Sequence, residues 1–99
     1  MNIVAVTSCP TGIAHTYMAA AQLEKAAKKL GHSIKVETQG SMGIENELTA
    51  EDIRSAHVAI FAAEIPVRNR ERFEAIRIME ISVQDAIKSP ESMIAKVTQ

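Results

Sequence analysis

Thr7-Ser8-Cys9-Pro10-Thr11-Gly12-Ile13-Ala14-His15-Thr16 joins two patterns of different period. Before it, Ile3-Val4-Ala5-Val6 is a short apolar run, the mark of a strand buried on both faces. After it, Ile13, Thr16, Ala20, Leu23, Ala27 and Leu30 recur at steps of three and four and draw one helical stripe. Gln22, Glu24, Lys25, Lys28 and Lys29 fall off that stripe, and Gly31 is suited to end the helix. A strand feeding a helix through a tight turn is the unit of an α/β fold. The turn holds the only cysteine of the chain.

Outward from this unit the alternation continues. Ser33 to Gln39 places Ile34, Val36 and Thr38 on one face and Lys35 and Glu37 on the other, which predicts an edge strand with its charges in solvent. Gly40-Ser41-Met42-Gly43 reads as a flexible loop. Thr49 caps a short helix ending near Ala56, Val58 to Ala63 forms another strand, and Pro66 stops it. Arg68 to Arg72 reads as a charged connection. Residues 71–79 have a composition compatible with helix, but the alternation of elements favours a strand from Arg77 to Ile81. Ser82 then caps a helix from Val83 to Lys88, and Pro90 opens a last helix that ends near Val97. The expected architecture is a three-layer α/β protein. It has an open, four-stranded, parallel, Rossmann-like sheet in the order 2-1-3-4 and helices on both faces. Residues 1–99 are expected to form a single domain.

Composition excludes several classes of function. The formal net charge of −1 offers no nucleic-acid footprint and no polybasic membrane patch. No apolar run approaches the roughly 20 residues that span a bilayer. The first residues lack the basic region and cleavage site of a signal peptide. A single cysteine forms no internal disulfide, which fits a reducing cytoplasm. The scattered cysteine and three histidines (His15, His32 and His57) do not have the spacing of a metal site, and no cofactor is expected. His32 and His57 read as surface residues at strand entrances, and Met18, Met42 and Met79 as packing residues.

The chemistry rests on Cys9. A lone cysteine is more often an inert core residue than a nucleophile, but here a Pro-Thr-Gly turn follows it and a helix begins behind. Unpaired N–H groups and a positive dipole favour a thiolate there, and equally a phosphoryl group carried on it. Donors for the phosphoryl oxygens are expected from residues 11–16: the amides of Thr11, Gly12, Ile13, Ala14, His15 and Thr16 and the hydroxyls of Thr11 and Thr16. Pro10 has no amide proton and fixes the exit angle of the loop, while Gly12 permits close approach. His15 is a stabiliser for thiolate or phosphate, or alternatively a solvent-facing residue of the first turn. A cysteine phosphatase carries an arginine six residues after its cysteine, where this chain has His15. None of the carboxylates Glu64, Glu71 and Asp85 is singled out as a leaving-group acid. A phosphatase-like hydrolase and a non-catalytic interaction module are the alternatives.

Cys-Pro-Thr-Gly-Ile-Ala-His-Thr after a first strand resembles the cysteine loop of the fructose-type enzyme IIB of the bacterial phosphoenolpyruvate-dependent sugar phosphotransferase system. The likeness continues through Glu37-Thr38-Gln39-Gly40-Ser41-Met42-Gly43, Asn46-Glu47-Leu48-Thr49 and Arg72-Phe73. The resemblance implies a phosphocysteine at Cys9, charged by a phosphohistidine on enzyme IIA. It implies discharge to a fructose-like sugar held by the membrane enzyme IIC. It further implies a monomeric cytoplasmic protein drawn to the inner membrane by enzyme IIC, with an exposed, fairly flat surface around Cys9. Contacts with partners are expected at residues 10–15 and at Gly40, Ser41, Met42 and Gly43. The stretch Ala63-Glu64-Ile65-Pro66-Val67-Arg68-Asn69 departs from the family by being more basic, which bears on the choice of partner.

Overall fold

A computed structural model describes residues 1–9, 13–40 and 43–98. Strand β1 (Asn2–Ser8) leads to helix α1 (Ile13–Lys29), then β2 (Ser33–Gly40), β3 (Gly43–Glu45), α2 (Ala50–Arg54) and β4 (Val58–Ala63). A 3₁₀ turn at Arg70–Phe73 precedes β5 (Arg77–Ile81), α3 (Val83–Lys88) and α4 (Pro90–Val97). Among the described residues the sheet has five strands in the order β3-β2-β1-β4-β5. The parallel part, β2-β1-β4-β5, has the order expected from sequence. The expected four-stranded sheet gains one member, because β3 pairs antiparallel with β2 through Thr38↔Glu45, Gln39↔Ile44 and Gly40↔Gly43. Gly40 and Gly43 thus belong to paired strands, and β2 is interior instead of an edge. Ser41 and Met42 themselves lie outside the described residues.

The strands alternate between two cores. Ile3 and Ala5 of β1 pack with Leu23 and Ala27 of α1, Val83 and Ala86 of α3 and Ile94 and Val97 of α4. Val4 and Val6 face the other way, onto Ile53 of α2, Phe61 and Phe73. Phe61 and Phe73 meet edge to face with centroids 5.0 Å apart. Sequence alone left the Arg68–Arg72 segment without an apolar side, yet Phe73, the residue after it, is fully buried and anchors the turn. Arg77–Ile81 is the strand that alternation favoured.

Local signals explain where elements begin and end. Helix α1 closes with Gly31 at φ +81°, where a side chain would be strained. The His32 N–H donates to Ala27 O at 2.8 Å and the Gly31 N–H to Lys28 O at 3.1 Å, which satisfies the final carbonyls. Leu30, the last residue of the sequence stripe, lies beyond the helix and is exposed. Ser82 Oγ accepts from the Asp85 N–H at 2.9 Å at the start of α3, and Pro90 opens α4. Thr49 and Asp52 form a reciprocal capping box at α2.

Asp52 also accepts a hydrogen bond from Lys35 Nζ at 2.8 Å. That bond, with the Thr49 N–H, holds its carboxyl down to about 2. A depressed carboxyl contributes stability that is present above its ordinary value of 3.8 and is lost as pH falls through about 2. In Lys35→Ala the Asp52 carboxyl is expected to titrate closer to 3.8, and acid unfolding to begin at higher pH. Side-chain carboxyl NMR through an acid titration checks this; an unmoved Asp52 would refute it.

Candidate functional site

Cys9 follows the last residue of β1, at the carboxyl end of a central strand, and α1 begins four residues later. Ligands of open α/β sheets gather at this edge. Sheet register names the neighbours of Cys9. Ser8 pairs with Gln39 on one side and Ala63 on the other, so the next residues, Gly40 and Glu64, flank the cysteine. The Glu64 N–H donates to Ser8 O at 2.9 Å and fixes that flank. Gly40 lies close to the first turn of α1; a Cβ there would stand 3.6 Å from Thr16 Oγ1. Beneath, the Thr7 hydroxyl donates to Thr16 O at 3.1 Å and ties strand to helix.

Cys9 itself is recessed, only 6% exposed. It lines a groove of about 410 Å³. His15 and Met18 border it from α1, Glu64 from the end of β4, and Val83, Gln84, Ile87 and Lys88 from α3. His15 therefore shares the groove with Cys9. Ala14 and His15 are exposed and Thr16 is buried. Pro10, Thr11 and Gly12 lie outside the described residues, as does the side chain of Ile13. Met18 is 49% exposed on the rim, which corrects its reading as a packing residue, whereas Met79 packs against the core.

Glu64 is the groove residue that sequence reading passed over. Its Oε1 accepts from the Val83 N–H at 3.0 Å and so braces the start of α3 against the sheet. Parallel register was the available signal, because the residue after β4 must lie beside the residue after β1. On the other side of β2, the Tyr17 hydroxyl donates to Glu45 Oε1 and links α1 to the edge strand. That bond pushes the phenol above its ordinary 10.0.

A buried ionic network stands behind the edge. Glu37, expected in solvent, is wholly buried. Arg72 grips it with two arms, Nη1 to Oε1 at 2.9 Å and Nη2 to Oε2 at 3.0 Å. Glu37 also accepts from the Leu48 N–H at 2.8 Å and from Gln39 Nε2 at 2.7 Å. Gln39 in turn brackets the Arg68 backbone: its Oε1 accepts the Arg68 N–H at 2.8 Å and its Nε2 donates to Arg68 O at 3.1 Å. Arg72 Nε and Nη2 donate to the Asn69 and Arg68 carbonyls at 2.9 and 3.3 Å. Burial pushes the Glu37 carboxyl up, but the bonds from Arg72, Gln39 and the Leu48 N–H outweigh it and hold the carboxyl below its ordinary value.

Among the described residues no three His, Cys, Asp or Glu side chains converge as metal ligands do. No helix of the described residues is long and apolar enough to cross a membrane. The fold and site define an α/β protein whose only cysteine sits at the carboxyl edge of its sheet, in a groove beside the start of a long helix. Residues 4–96 match the family described as "PTS system, Lactose/Cellobiose specific IIB subunit". The chain is 50% identical over 96 residues to the PTS system fructose-like EIIB component 2 of Escherichia coli K12, covering 97% of this chain and 91% of that one. It is 51% identical over 93 residues to the 2-O-alpha-mannosyl-D-glycerate-specific EIIABC component of the same organism, covering 94% of this chain and 14% of that one. A crystal structure of a domain of the fructose-specific IIABC component of Borrelia burgdorferi superposes with TM-score 0.90 at 51% identity, covering 95% of this chain and 89% of that one. The chain belongs to the PTS IIB family, in its fructose-like branch, and is a component of sugar phosphotransfer.

Proposed function

We propose that residues 1–99 form one phosphocysteine carrier domain in sugar uptake. The Cys9 thiolate attacks the phosphorus of a phosphohistidine on enzyme IIA. The N–P bond breaks with its electron pair returning to the imidazole, and an S–P bond forms. A hydroxyl oxygen of a fructose-like sugar held by the membrane enzyme IIC then attacks the same phosphorus. The S–P bond breaks, the thiolate is regenerated, and the hydroxyl proton leaves to solvent. Neither step needs a metal from this chain, because phosphoryl transfer depends mainly on positioning and charge stabilisation. The carrier works in the cytoplasm and reaches the inner membrane through enzyme IIC.

The observation that carries this reading is the position of Cys9, at the carboxyl end of central strand β1 in a groove that also holds His15. The amides and hydroxyls of residues 11–16 supply the phosphoryl oxygens with donors, and His15 adds a hydrogen bond or a positive charge. Residues 10–15 and Gly40, Ser41, Met42 and Gly43 touch the partners. One observation favours a hydrolase instead, the carboxylate of Glu64 in the groove. Against it, Glu64 Oε1 is already engaged by the Val83 N–H, and the sixth residue after Cys9 is a histidine rather than an arginine.

Intact mass after incubation with phosphoenolpyruvate, enzyme I, HPr and a panel of fructose-type enzyme IIA domains tests the proposal. One phosphoryl group mapped to Cys9 and absent without IIA is the expected result. Steady turnover of an aryl phosphate, with no IIA-dependent adduct, would give the site to the hydrolase.

A further inference from the structure

The segment after β4 has a path that the carrier chemistry alone does not require. It leaves β4 at Glu64, whose N–H is bonded to Ser8 O. Four residues later Arg68 is held at both its N–H and its carbonyl by the side chain of Gln39, on β2. β4 and β2 flank β1 on opposite sides, so residues 64–68 cross the carboxyl end of β1, immediately beside the base of the cysteine loop. Within this crossing Val67 is buried as the anchor, while Ile65 is 38% exposed. Arg68 is exposed too.

The Arg68 side chain stands apart from the other arginines. Arg54, Arg70 and Arg72 each reach a carboxylate, and Arg77 reaches a carbonyl. Among the described residues the Arg68 guanidinium has no hydrogen bond or ion pair, although its backbone is bracketed more tightly than that of any other residue in the crossing. A cation fixed at its root and free at its tip, beside an exposed isoleucine, has the composition of a protein contact. We infer that Ile65 and Arg68 form a partner-selecting rim, on which Arg68 meets a carboxylate of the phosphoryl-donating protein. This rests on the carrier reading above.

Two arguments fix the occupant. The Gln39 side chain that holds Arg68 is bonded to Glu37, which meets Leu48 on the α2 side of the sheet, whereas the Cys9 side chain packs with the α1 core. Arg68 therefore stands at the rim and not over the thiol, and its ligand is a side chain of the partner rather than the phosphoryl group. Cytoplasmic loops of membrane proteins carry an excess of Lys and Arg, which repel a guanidinium. A soluble donor with an acidic surface complements it.

The test measures the initial rate of Cys9 phosphorylation against the concentration of phosphorylated IIA. The donors are a panel of fructose-type IIA domains, including that of the E. coli 2-O-alpha-mannosyl-D-glycerate-specific EIIABC component. Arg68→Glu is compared with Arg54→Glu, the same charge change on α2, which lies over the opposite edge of the sheet. Arg68→Glu is expected to raise the half-saturating donor concentration about tenfold, with the maximal rate within about twofold. The difference shrinks as salt rises from about 0.05 to 0.5 M. Arg54→Glu stays at the wild-type value. Equal behaviour of the two variants, or a loss confined to the maximal rate, overturns the rim while leaving the carrier intact. No labelling of the wild type by any donor overturns both.

Discussion

Cys9→Ser is expected to lower IIA-dependent phosphorylation and sugar phosphorylation by at least about a thousandfold, close to 4 kcal/mol of barrier, while the chain stays folded. A serine hydroxyl at neutral pH has almost no anionic form and is a far weaker nucleophile than the sulfur it replaces. A serine there keeps a polar atom in place of the sulfur, whereas Cys9→Ala removes the nucleophile altogether. Both variants should be inactive and folded, as read by urea unfolding beside a transfer assay. His15→Ala, on the groove wall, slows transfer less severely. Transfer by Cys9→Ala at the wild-type rate would end the proposal of a covalent carrier.

Much of this site was legible because its signals are local. The strand-to-helix change of period around Cys9 sets the edge at which the thiol sits. Thr49, Ser82 and Pro90 announce their helices within one turn, and each does so in the structure. Features that depend on distant pairing were not legible. The three-residue strand Gly43–Glu45 is too short to show alternation, and it becomes a strand only because β2 is there to pair with it. Without it β2 looked like an edge, and Glu37 looked solvated. The partner that makes burial of Glu37 tolerable lies 35 residues away, in a segment whose run of charges resembles a surface loop. The family resemblance included both Glu37 and Arg72, but as separate motifs and not as a pair. The groove beside Cys9 was not legible for the same reason, since part of its wall comes from α3, late in the chain.

The pair itself supports the other large effect. Arg72→Ala is expected to destabilise the fold by about 3–5 kcal/mol, because it strands a fully buried carboxylate. For a chain of this size that is a fall in Tm of roughly 15 °C or more, and a large share of the about 5–15 kcal/mol that a domain possesses. Arg72→Lys recovers only part of the loss, since an ammonium cannot reproduce the two-armed grip at 2.9 and 3.0 Å. Replacing both members, as in Glu37→Met with Arg72→Met, should cost less than the two single changes added together, because no charge is left alone. It still leaves the Leu48 N–H and the Gln39 amide without their acceptor, a residual penalty of about 1–3 kcal/mol. The pH dependence distinguishes a stranded charge from a mere loss of packing. In the wild type the Glu37 carboxyl is depressed, so its contribution is present above the ordinary value of 4.5 and declines as pH falls through the folded value. In Arg72→Ala burial dominates and raises the carboxyl, so protonation relieves the variant as pH falls. The stability gap between wild type and Arg72→Ala should therefore narrow from about pH 7 to about pH 4. A gap that stays constant over that range would mean that Arg72 acts by packing over Phe73, where its guanidinium carbon lies 4.9 Å from the ring centroid, and not by neutralising Glu37.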